Sequence, residues 1–245
     1  MDNHTERLTD GIWRVEVGFY ANAYLLANNG RDDGDGLTLV DGGTAKQGSK
    51  LVRSIRLLGF DPRALTDLLL THWHDDHAGS AARFADSSAK PRVWVGREDL
   101  GILRGEERPA DRLHGPVALV ARLGVTSRPA AVPEAAAMAH GQRFGVGGGL
   151  QVVATPSHTA GHCAFHLPRQ DLLLAGDVLF NVVRFSGGPR LMDADRSARP
   201  DALHRLAACD AQIVAVGHGP PITENASGRL SRLVERAGHR SGSVE

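Results

Sequence analysis

The chain has 245 residues, 42 % hydrophobic and 23 % charged, which suits a globular fold with a substantial buried core. Lys plus Arg equals Asp plus Glu at 28 each, so no net field draws the chain to nucleic acid or an anionic membrane. The polar start from Met1 to Arg7 has no leader-peptide core, no apolar run nears the ~20 residues of a membrane span, and two cysteines cannot frame a disulfide scaffold; a cytoplasmic location is expected.

Strand-like runs open the chain at Ile12 to Val17, Ala23 to Leu26 and Leu37 to Val40, parted by turn signals at Asn28-Asn29-Gly30 and Asp32 to Gly36. The third run leads into Asp41-Gly42-Gly43. An amphipathic helix is predicted from about Gly48 to Leu58, stopped by Gly59 with Pro62 beyond. The nearly continuous apolar run from Thr66 to Thr71 reads as a buried strand and delivers His72-Trp73-His74-Asp75-Asp76-His77. A helix is expected to start inside this cluster and continue through Phe84, followed by a strand at Arg92 to Val95. Residues 97–140 break the rhythm with Pro109, Pro116, Pro129 and Pro133. They read either as a lid across the mouth of a site or as ordinary connecting helices.

The second half repeats the pattern. Strands at Leu150 to Ala154, Asp171 to Ala175 and Gln212 to Val216 lead into His158, Asp177 and His218. A further strand is predicted at Cys163 to Leu167, a hairpin turn at Gly147-Gly148-Gly149, and helices at Arg199 to Ala208 and Glu224 to Ala237. Each station therefore follows an apolar strand, where layered α/β folds build their sites. Imidazole and carboxylate suit zinc and similar cations, and two histidines one residue apart on extended backbone point the same way. His4, His114, His140, His204 and His239 read as surface residues, and His166 has no clear role. Cys163 reads as a small core residue, not a nucleophile, and Asp75 as a carboxylate at a helix N-terminus.

Four segments in this order resemble the metallo-β-lactamase superfamily from about Leu8 to Thr223: His72-x-His74-x-Asp76-His77, Thr155-Pro156-Ser157-His158 with His162, Gly176-Asp177, and Gly217-His218. The resemblance implies an α/β fold of αββα type, two mixed β-sheets face to face with helices outside and metals at one edge, in one domain over residues 1–245. It implies His72, His74 and His158 as ligands of a first metal, Asp76, His77 and His218 of a second, and Asp177 as the bridge. Asp41 would orient a ligand histidine from behind, and His162 would support the site without binding metal. Two divalent ions, zinc first with iron or manganese as alternatives, would share a hydroxide nucleophile, with Asp76 and Asp177 as the catalytic carboxylates. Phe19, Tyr20, Trp73, Phe180, Phe185 and Arg184 are candidates for a substrate pocket.

Departures narrow the choice within the superfamily. Class B β-lactamases with this cluster are exported and lack the bridging aspartate. Gly176-Asp177-Val178-Leu179-Phe180 resembles glyoxalase II, yet only 27 residues follow His218, where that enzyme carries a helical glutathione domain. Phe180 stands where well-known acyl-homoserine lactonases place a tyrosine. The basic arm or second domain of RNA-processing members is not visible. The expectation is a dinuclear hydrolase of a small ester, thioester or lactone. The alternatives are a mononuclear iron enzyme resembling persulfide dioxygenases, held by His72, His158 and Asp177, and a non-catalytic metal-binding protein.

Overall fold

The computed structural model describes residues 5–18, 21–28, 36–108 and 128–241. Its first sheet runs β1 (Thr5–Thr9), β2 (Ile12–Gly18), β3 (Ala21–Ala27), β4 (Leu37–Val40), β5 (Leu65–Leu69), β6 (Arg92–Gly96) and β7 (Ala136–Met138), neighbours in space as in sequence. Pairing is antiparallel as far as β4 and parallel from there on. The second sheet is made of β8 (Arg143–Phe144), β9 (Leu150–Ala154), β10 (Cys163–Leu167), β11 (Leu172–Leu174) and β12 (Ile213–Ala215), in the order β12-β11-β10-β9-β8. Only its β11–β12 pair is parallel.

Strand periodicity explains the layering. In β3, Ala23, Leu25 and Ala27 face one way while Tyr24 and Leu26 face the other; in β10, Cys163, Phe165 and Leu167 oppose Ala164. Both faces are buried, so these strands are apolar but for Asn22 in β3 and His166 in β10. Tyr24, Leu26, Val40 and Leu69 meet Val152, Phe165, Leu172 and Leu174 between the sheets. Outside the first sheet, Leu51 and Ile55 of α1 (Gly48–Leu57), Ala78 of α2 (Asp75–Ala78), Phe84 of α3 (Ala81–Ala85) and Leu103 of α4 (Leu100–Arg104) complete a second core. Outside the second sheet, Leu203 and Leu206 of α5 (Arg199–Ala207) and Leu230 of α6 (Ala226–Ser241) complete a third. Each large side chain so buried contributes ~1.5–3 kcal/mol. The result is the αββα sandwich.

One local expectation changes, three strands are added, and the 97–140 stretch is described at its two ends. The helix after the histidine cluster is not continuous: α2 and α3 part at Gly79-Ser80, because the chain there packs on the 42–44 turn. Ser80 donates its hydroxyl to the Gly42 carbonyl at 2.7 Å and its amide to the Gly43 carbonyl at 3.0 Å. Strands β1 and β8 join the sheets without an apolar run to announce them, and β7 forms within the run Ala135 to Ala139, inside the 97–140 stretch. The stretch 97–140 holds a turn of 3-10 helix at Arg97–Asp99, then α4, and ends in β7; residues 109–127, the centre of the expected lid, lie outside the described residues. No helix among the described residues is long and apolar enough to cross a membrane.

Candidate metal centre

The carboxyl ends of β4, β5, β9, β11 and β12 meet at one edge of the sandwich, and each carries a polar station. Asp41 follows β4, His72 to His77 follow β5, His158 follows β9, Asp177 follows β11 and His218 follows β12. The structure brings all seven expected ligand side chains together. His72 Nε2 and His158 Nε2 lie 3.0 and 2.9 Å from His74 Nδ1. On the other side, His77 Nε2 lies 3.4 Å from His218 Nε2, which lies 3.3 Å from Asp76 Oδ2. Asp177 reaches both groups, 3.5 Å from His158 Nε2, 3.2 Å from His77 Nε2 and 3.3 Å from His218 Nε2.

Two glycines make room for that carboxylate. Gly176 has φ +56°, and a side chain there would lie 2.6 Å from His162 Nε2; one at Gly217 would strike Asp177 Oδ1.

Behind the cluster, hydrogen bonds decide which nitrogen each ring offers. Asp41 accepts from the Thr71 amide at 2.8 Å, from the Thr71 hydroxyl at 2.9 Å and from His77 Nδ1 at 2.9 Å. Because the Thr71 hydroxyl donates to Asp41, it accepts from His72 Nδ1 at 2.9 Å. One carboxylate thus turns Nε2 of both His72 and His77 toward the cluster. His162 is committed twice: its Nε2 accepts from the Asp177 amide at 3.0 Å, so its Nδ1 donates to Thr155 Oγ1 at 2.8 Å. Neither nitrogen is left for a cation.

Electrostatics divide the cluster. Burial holds His72 and His158 well below the usual imidazole value and His74 at about 4, so these three are neutral donors at pH 7. Burial also opposes charge on His77 and His218, but Asp177 and the neighbouring carboxylates outweigh it, holding His77 well above the usual value and His218 at about 10. Burial would raise Asp177, yet His218 and His77 carry it well below the carboxylate range. A cation fits this donor set. Asp177 Oδ1 is buried without a hydrogen bond, and the ligand atoms of His72, His74 and His158, of His72, His77 and Asp177, and of Asp76, His77 and His218 each lie within 4.8 Å of one another.

The pocket candidates scatter. Phe180 stacks on His218, ring centroids 4.8 Å apart and 9° from parallel, and Trp73 meets His74 edge-on at 4.5 Å. Phe185 turns away from the cluster to the third core, with the Arg229 guanidinium 5.8 Å over its ring, because α5 and α6 offer it an apolar bed. Arg184 is exposed. Phe19 and Tyr20, like His4 and His114 and the side chain of His239, lie outside the described residues; His140 and His204 are exposed. Cys163 is buried between the sheets and its thiol is pushed up to about 12 by burial, so Cys163→Ser is expected to leave turnover within about twofold and iodoacetamide to spare the native thiol at pH 8.

Sequence reasoning missed Asn22. Fully buried in β3, it donates its side-chain amide to the Val216 and Gly219 carbonyls at 2.8 and 2.7 Å and its backbone amide to Gly217 at 2.9 Å. Tyr24 donates to the Val216 carbonyl at 2.6 Å, and Arg14 donates to Asn22 Oδ1 at 2.7 Å. The first sheet thereby grips the segment that presents His218. The available signal was an asparagine inside an otherwise apolar strand.

The sequence profile of the metallo-beta-lactamase superfamily matches residues 17–218. The chain belongs to this superfamily. It is 24 % identical over 221 residues to the probable metallo-hydrolase YflN of Bacillus subtilis, covering 81 % of each chain. It is 30 % identical over 156 residues to a hydroxyacylglutathione hydrolase of Rhizobium meliloti, matching 63 % of this chain and about half, 48 %, of that enzyme. A metallo-beta-lactamase family protein of Thermus thermophilus superposes with a TM-score of 0.71 at 26 % identity, over 96 % of this chain and 81 % of that one. Membership of a superfamily of metal-dependent hydrolases accords with the His- and Asp-rich cluster.

Asp41 offers a direct check on the superfamily's supporting shell. Asp41→Asn keeps the size but cannot accept from all three donors, so metal affinity is expected to fall about 10–100-fold, read by chelator competition, with turnover falling in step.

Proposed function

We propose that the chain is a dinuclear metal-dependent hydrolase of a small carboxylic ester, thioester or lactone, with zinc the expected ion. The observation that carries this is the shared carboxylate: Asp177 stands between three neutral imidazoles on one side and Asp76, His77 and His218 on the other. His72, His74 and His158 would hold one ion, Asp76, His77 and His218 the other, and Asp177 would contact both. Two divalent ions held there would supply a hydroxide nucleophile at neutral pH and polarise the substrate carbonyl.

The chain's own groups do the remainder. Asp76 is the most exposed of the ligand carboxylates, so it stands at the mouth, where it would hold an ion and accept a hydrogen bond from the nucleophile. Asp41 and Thr71 keep the ligand rings from rotating, which preserves the geometry on which turnover depends. Phe180 offers an apolar wall beside His218 and has no hydroxyl to give a leaving group. The names of the relatives, a metallo-hydrolase and a hydroxyacylglutathione hydrolase, support acyl hydrolysis as the reaction class.

The test is elemental analysis after metal-replete expression, followed by a panel of esters, thioesters, lactones and phosphodiesters. Two equivalents of metal and hydrolysis of an acyl substrate are expected. One tightly bound iron with oxygen uptake on a persulfide would replace this reading by the mononuclear one.

A further inference from the structure

Asp99 belongs to neither ligand group, yet it is 1 % exposed and the bonds it accepts lead to a metal station. It closes the 3-10 turn after β6. Its Oδ2 accepts from the Thr159 hydroxyl at 2.6 Å and its Oδ1 from the Gly161 amide at 2.8 Å. Thr159 and Gly161 lie between His158 and His162. That loop supplies one of the three imidazoles of the first donor set. Close packing accompanies the bonds, since a side chain at Gly161 would stand 2.5 Å from the Asp99 nitrogen and 2.6 Å from its carboxyl carbon.

We infer that Asp99 is a positioning residue for the first metal subsite: it holds the His158–His162 loop against the turn after β6 and so sets the affinity of the subsite that His158 completes. This rests on the dinuclear reading above. A carboxamide could keep both contacts, accepting from the Gly161 amide and donating to the Thr159 hydroxyl, so the informative change is Asp99→Ala, which removes both. The second subsite takes Asp76 and His77 from α2 and His218 from the segment gripped by Asn22, so it does not depend on this lock.

The test titrates the metal-free full-length protein with cobalt(II), followed by its visible absorption and by chelator competition. Wild-type protein should take up two equivalents, and the step that His158→Ala abolishes identifies the first subsite. In Asp99→Ala that step should weaken about tenfold or more while the other stays within about twofold. Thr159→Val, which removes one bond and no charge, should shift the same step less; it serves as the test in place of Asp99→Ala if that variant does not fold by circular dichroism. Two unchanged steps, or equal weakening of both, would overturn the inference alone. Fewer than two equivalents in wild-type protein would overturn the dinuclear reading and this inference with it.

Discussion

Asp177→Ala is expected to lower kcat/KM at least about a thousandfold, a loss of ~4 kcal/mol in transition-state stabilisation. Asp177 is the residue whose oxygens approach His158 on one side and His77 and His218 on the other, at 3.5, 3.2 and 3.3 Å. Removing it separates the two donor groups and takes away the carboxylate that would contact both ions. The fold should survive, because none of the three apolar cores includes this side chain. Kinetics on the best substrate of the panel, metal equivalents per chain and circular dichroism check the outcome together. Near-wild-type kinetics with two ions retained would remove Asp177 from its bridging role.

Stripping divalent ions with a chelator is expected to abolish turnover and lower the melting temperature by roughly 8–16 °C. The shift corresponds to about 4 kcal/mol when free ion stands a thousandfold above its Kd. Three neutral imidazoles stand nitrogen to nitrogen at 2.9 and 3.0 Å, an arrangement that a cation among them would stabilise. Re-addition of zinc, manganese or iron(II) in separate melts then ranks the ions. An unchanged melting temperature with activity intact would exclude metal dependence.

Much of the fold was legible because the central strands are buried on both faces. Leu37 to Val40, Leu150 to Ala154 and Cys163 to Leu167 are apolar but for Thr38, Gln151 and His166, and the structure reproduces their bounds. By contrast β1, with Thr5, Arg7 and Thr9, lies at a sheet edge where half-exposed polar residues suffice, and β8 has only two residues. The break between α2 and α3 comes from a contact with residues 42–44, which local pattern does not record. The candidate site divides in the same way. Its seven donors stand in short motifs, but their supports are distant: Asp41 is 30 residues from Thr71, and Asn22 is 194 from Val216. Asp99, within Arg97-Glu98-Asp99, looks like part of a solvated charge run until burial shows where it points.

The grip of β3 on the His218 segment bears on how the chain reaches its native state. His74 and His158 are 84 residues apart, and His77 and His218 are 141 apart, so neither donor group exists in a chain with only its first sheet formed. Contacts of such separation form after local ones, since loop closure must be met before they stabilise anything. A nascent first half would offer His72, His74, Asp76 and His77 and hold an ion weakly. Tight capture waits for the second sheet to dock and for Asn22 to find Val216 and Gly219. Metal retention during refolding would therefore report the closing of the sandwich, whereas helix content would report only its beginnings.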